Sequence, residues 1–143
     1  MQDHTVIEQD RPAAEVMNSR IIEVLGREIA TGTCGPGTRL TLDGLQERFA
    51  VSRTVVRDCM QILEAMNLVY SKRRIGIVVQ DPVYWNVYDP RIIRWRLSGP
   101  GRKTQFRSLT ELRIAVEPLA AAGAARKATP EQRESLVDLA RQM

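Results

Sequence analysis

Arg53 and Arg57 stand four residues apart in the stretch VSRTVVRDCM, residues 51–60, with Thr54 between them and Gln61 just beyond. These are the side chains that donate to base edges and phosphates. A guanidinium can meet guanine O6 and N7 as a planar fork, and threonine or glutamine can read other edges. At roughly 100° per residue, a helix over 52–63 collects Val56, Cys59, Met60 and Leu63 on one apolar stripe. Arg53, Thr54, Arg57 and Gln61 then gather on the opposite side. On an isolated helix such a face would be read as ordinary solvation, so the elements around it decide what it is for.

Those elements are legible from pattern. Met17, Ile21, Val24, Leu25 and Ile29 recur at helical spacing from Glu15 onward, and the run ends at Thr31-Gly32. GTCGPG, residues 32–37, is turn-forming: glycine supplies positive φ and proline fixes its own. A short helix is expected from Leu42 to Phe49. Ser52 is a good N-cap for the helix that carries the two arginines, and Asn67 is a suitable left-handed stop. LVYS (68–71) and IGIVVQ (75–80) flank Lys72, Arg73 and Arg74, the pattern of a β-hairpin with Gly76 near its tip. Three helices followed by a two-stranded wing make a winged helix-turn-helix, whose third helix enters the major groove.

Bulk properties narrow the classes. The 143 residues carry a net charge of +4, with 43% hydrophobic and 27% charged residues, as a globular chain with an anionic partner would. No segment is a basic block: residues 15–80 hold nine basic residues against seven acidic. The one histidine, His4, lies in a polar tail expected over 1–14, and no phosphate-cradling glycine loop or nucleophile elbow occurs. Enzymatic and histidine-based metal chemistry are therefore not expected. Cys34 and Cys59 are too few for a disulfide framework, which points to a reducing cytoplasm; Cys59 falls on the apolar stripe as a small buried hydrophobe. No signal sequence and no apolar run of membrane-spanning length is evident.

With these residues in view, the segment IATGTCGPGTRLTLDGLQERFAVSRTVVRDCMQILEAMNLVYSKRRIGIVV resembles the DNA-binding domain of GntR-family bacterial transcription regulators. The shared marks are the G…PG.RL turn, the LQERF.VSRT.VRD run, the LE..NLV exit and the RR.G.VV wing, and the likeness covers residues 21–80. It implies that Arg53 and Arg57, with Ser52, Thr54 and Gln61 beside them, contact bases or phosphates. It makes Arg39 a backbone contact, Gly76 the wing tip near the minor groove, and Lys72, Arg73 and Arg74 phosphate contacts. The wing could alternatively pack on a neighbouring subunit. Leu42 stands where the family usually has glutamate, Gln46 where it often has alanine, and Cys59 where alanine is usual.

Residues 81–103 read as a connector, with a short helix around Arg91–Leu97 and the SGPGRK turn at 98–103. From Thr104 to Lys127 the chain is rich in helix formers; Pro118 is expected to kink or break that helix, and Thr129-Pro130 to cap the next. QFRSLTELRIAVEPLAAAGAARKATPEQRESLV, residues 105–137, resembles the opening of the all-helical effector domain of the FadR-type (FCD) branch, and WNVYDPRIIRWRL resembles the connector of regulators responding to sugar acids. By that likeness Arg113 pairs with an effector carboxylate; the alternative is an i, i+4 pair with Glu117. The aspartate and histidines that hold a divalent ion in some family members lie further along the effector domain and have no counterpart here, so no cofactor is expected in this chain. Residues 104–143 are too few to enclose a core or a complete effector pocket alone, and the segment reads as an incomplete domain, whether a fragment or a truncated product.

The expectation is thus a mainly α chain: a winged helix-turn-helix followed by the first helices of an all-α effector domain. Its function would be sequence-specific DNA binding by a cytoplasmic, homodimeric repressor of a catabolic operon on an inverted-repeat operator, answering to a small-molecule effector. The rival reading is a protein-interaction module with only non-specific affinity for DNA.

Overall fold

The computed structural model describes residues 13–142. Most of the expected N-terminal tail, His4 included, lies outside the described residues. Helix α1 (Ala13–Thr31) is followed by a short strand β1 (Arg39–Leu40), helix α2 (Leu42–Phe49), helix α3 (Arg53–Ala65), and strands β2 (Val69–Lys72) and β3 (Gly76–Val79). After a 3-10 turn at Pro82–Tyr84 come α4 (Pro90–Leu97), α5 (Arg102–Lys127) and α6 (Pro130–Arg141). The chain divides after Gln105 into two compact units.

The first unit has one core. Ile21, Leu25 and Ile29 of α1 meet Val56, Cys59 and Leu63 of α3, all but sealed from solvent, with Leu45 of α2 and Leu68, Val69 and Val79 beneath them. The stripe foreseen on α3 is the buried one. Local chemistry sets where α2 and α3 begin and end. Thr41 caps α2 by accepting from the Gly44 amide at 3.1 Å, and Ala50 ends it in the left-handed region at φ 53°. Ser52 caps α3 by accepting from the Val55 amide, and Asn67, at φ 57°, turns the chain out of it.

The sheet is larger than the expected hairpin. Its order is β1-β3-β2, all antiparallel, with Arg39 opposite Val78 and Val69 opposite Val79. Two residues are too few to show strand alternation, which is why β1 escaped the pattern. Gly76 lies next to the wing tip, as expected. Lys72 pairs with Gly76, the Ile75 amide donates to the Lys72 carbonyl, and the turn itself is Arg73-Arg74, with Arg74 at φ 66°. Gly76 is the first residue of β3; at φ 98° it still needs the freedom that only glycine has.

The connector is built into this unit. Trp85 and, on α4, Ile92 and Trp95 are buried in the same core, and α4 lies along α1. Asp89 caps α4 through the Arg91 amide at 2.8 Å, and Arg94 reaches Glu23 of α1 at 2.6 Å. Gln105, fully buried, donates to the Val87 carbonyl at 2.9 Å and ties down the start of α5. That helix starts at Arg102, inside the stretch expected to be a turn.

The second unit holds the rest of α5 and α6. Of the two outcomes expected at Pro118, a kink or a break, the break does not occur: α5 is continuous through it. Proline removes one backbone hydrogen bond, at a cost of about 3 kcal/mol in a helix interior. The five alanines between 120 and 125, interrupted only by Gly123, favour continuation of the helix. Thr129 and Gln132 form a reciprocal capping box at the start of α6, with Pro130 in the first turn as foreseen. None of the described residues from 106 onward is buried, as expected of two helices with no core of their own.

Candidate nucleic-acid interface

The functional face is assembled by the α2–α3 turn and the wing. Val56, Cys59, Met60 and Leu63 are anchored in the core, so Arg53, Thr54, Arg57 and Gln61 are all turned to solvent. At 1.5 Å rise per residue, Arg53 and Arg57 are separated by about 6 Å along the helix axis. That is close to two base-pair steps of B-DNA at about 3.4 Å each.

A groove of about 750 Å³ runs between this helix and the wing. Arg53, Arg57 and Gln61 line one side, and Lys72, Arg73 and Gly76 line the other. The groove therefore carries four cationic side chains against two carboxylates, those of Asp43 and Glu64. Both carboxylates are committed. Asp43 accepts from Arg53 Nη1 at 2.7 Å, and Glu64 accepts from the Ser71 backbone amide at 3.0 Å on the open edge of β2. The second contact fixes the wing to the end of α3. Arg57, Lys72 and Arg73 form no ion pair among the described residues, so three cations remain free to meet an anion.

The other expected residues lie around this groove without lining it. Ser52 is exposed, with its hydroxyl engaged in the cap; Thr54 is exposed one residue beyond Arg53; Arg74 sits at the tip of the wing; Arg39 is exposed on β1. Arg113 belongs to the second unit, where it pairs with Glu117 one turn on, at 2.6 Å, both side chains well exposed. Pairing and mutual charge hold the Arg113 guanidinium above its ordinary pKa range. Sequence reasoning missed Asp43 and Glu64. Each is paired with a group distant in sequence, ten residues on for Asp43 and seven for Glu64, and no local pattern marks either.

The two cysteines take no part in the interface. Cys59 is buried, its thiol donating to the Asn18 carbonyl at 3.7 Å, and burial, with the charge of Asp58 adding to it, pushes its pKa up to about 11. Burial likewise raises that of Cys34. Among the described residues, no group of three or more His, Cys, Asp or Glu side chains is placed to hold a metal ion, and no helix is long and apolar enough to cross a membrane.

Residues 17–79 match the family model of bacterial regulatory proteins, gntR family. This segment is a GntR-family domain. It is similar to the galactonate operon transcriptional repressor of Escherichia coli K12, with 34% identity over 111 residues, covering 77% of this chain and 48% of the repressor. It is also similar to YieP of the same organism, an uncharacterized HTH-type transcriptional regulator. There the identity is 32% over 136 residues, covering 94% of this chain and 59% of that one. Among solved structures, a GntR family member from Pseudomonas syringae pv. tomato aligns at 32% identity with a TM-score of 0.47, over 55% of this chain and 33% of that one. The chain spans about half the length of the curated relatives it matches.

Proposed function

We propose that this chain, with its GntR-family domain, carries the operator-reading part of a ligand-responsive transcriptional repressor. The carrying observation is the groove: Arg53, Arg57 and Gln61 on an outward helix face, opposed by Lys72 and Arg73 on a wing tied to that helix. Helix side chains would read base edges in the major groove while the wing cations meet phosphate. Two copies would bind an inverted repeat, because a two-fold protein presents two such helices to two half-sites. Arg39, Ser52, Thr54, Arg74 and Gly76 would contribute flanking contacts.

The similarity to a galactonate operon repressor supports a sugar acid as effector. In a complete effector domain of the FCD type, Arg113 would exchange its pairing with Glu117 for the ligand carboxylate. Such a ligand would release DNA by favouring a different disposition of the two winged helices. The chain itself requires no cofactor for DNA binding, and its place of action would be the cytoplasm.

The test is selection of bound duplexes from a random DNA pool. Enrichment of a short inverted repeat supports the reading. Salt-sensitive binding to every duplex alike, also with two copies artificially tethered, would contradict it and leave a winged helix used for protein contact.

A further inference from the structure

We infer that Asp43 is a specificity-determining positioning residue: its carboxylate holds the Arg53 guanidinium in the orientation from which the arginine reads a base. This rests on the operator-reading function proposed above and adds a residue to it.

Arg53 is the first residue of α3 and Asp43 lies in the first turn of α2, so the contact joins the two helices at the mouth of the groove. Their side chains are 53% and 81% exposed. An ion pair so open to water adds little to stability, and the core beneath already fixes α2 against α3. Its consequence is orientation. Asp43 Oδ1 accepts from Nη1 alone at 2.7 Å, which leaves the Nε–Nη2 edge of the planar fork free. That edge presents two parallel N–H groups, the pattern that meets guanine O6 and N7. Arg57, four residues on, has no such partner among the described residues.

The carboxylate also has an electrostatic effect. It sits on the lip of a groove meant for a polyanion, where a negative charge opposes the phosphate backbone whatever the base sequence. On one sequence that general repulsion can be offset by a better-placed base contact. Holding Arg53 in its reading orientation would supply it, since the arginine then arrives with its rotamer already chosen.

The experiment compares the unmodified chain, Asp43→Asn, Asp43→Glu and Arg53→Ala. Each is put through selection from a random DNA pool, then fluorescence-anisotropy titration against the enriched duplex and a scrambled one. Thermal unfolding of each variant is recorded alongside. Asp43→Asn should bind scrambled DNA more tightly than the unmodified chain. It should also lose discrimination at the same base position as Arg53→Ala, by at least about fivefold, the lower end of one arginine–guanine contact. Its unfolding midpoint should be unchanged, and Asp43→Glu should restore the preference. If Asp43→Asn gains affinity for all DNA yet keeps the base preference intact, Asp43 merely repels phosphate and the inference fails while the operator-reading function stands. If the unmodified chain enriches no sequence, that function fails and the inference falls with it.

Discussion

The indole of Trp95 on α4 lies where a side chain on Gly26 of α1 would have to go: a Cβ placed on Gly26 would come within 2.3 Å of the ring. Glycine in mid-helix sacrifices up to about 1 kcal/mol of helix propensity relative to alanine. Here it does so to let the connector seat a fully buried tryptophan in the same core as the DNA-facing helix. The connector therefore moves with the winged helix and is no loose tether. Gly26→Ala should destabilise the chain by about 1–3 kcal/mol despite its better helix propensity, through overpacking. Trp95→Ala should cost about 3–5 kcal/mol. Urea unfolding followed by circular dichroism measures both, and a stabilised Gly26→Ala would contradict the packing.

Neutralising Lys72 or Arg73 should weaken binding to all duplexes by similar factors. Phosphate contacts carry no sequence information. Each substitution should also lower the slope of log K against log salt by about 1. Titrations at several salt concentrations give that slope directly.

Arg74 holds φ 66° at the turn of the wing, a conformation that L side chains rarely adopt. Arg74→Gly should relieve that strain and stabilise the fold by about 1 kcal/mol. The same change removes a cation from the wing tip, so DNA affinity should fall while stability rises. Opposite movement of the two quantities, by unfolding and by anisotropy, is the expected signature.

Cys59 gives the stability a high-pH limb. Its folded thiol titrates near 11 against an ordinary value of 9.0. Between those values the unfolded chain has released a proton that the folded chain still keeps, so ionisation favours the unfolded state. Stability should be insensitive to this group below pH 9 and decline as pH rises from 9 toward about 11. Cys59→Ala should flatten that decline, with the smaller contribution of Cys34 remaining. Iodoacetamide at pH 8 should also modify Cys34 well before Cys59.

Much of this was legible in the sequence because local signals were strong. α2 begins and ends at the residues expected, Leu42 and Phe49, and the apolar stripe of α3 alone determines which arginines face outward. What escaped was settled by contacts distant in sequence. β1 is a strand only because β3 pairs with it. Asp43 and Glu64 resemble any solvated acid until the fold brings them to Arg53 and to the Ser71 amide. At Pro118 the local signal left a kink or a break open, and the helix formers on either side exclude the break.

If the outward face of α3 reads sequence, Arg57 should carry a base contact, since no ion pair among the described residues holds it. The measurement is anisotropy titration of the unmodified chain and Arg57→Ala, at moderate salt, against the enriched repeat and its scrambled counterpart. The expected result is a loss of about 1–3 kcal/mol on the repeat, confined to one base position per half-site, with a far smaller change on scrambled DNA. Arg57→Ala binding the repeat as tightly as the unmodified chain would contradict it.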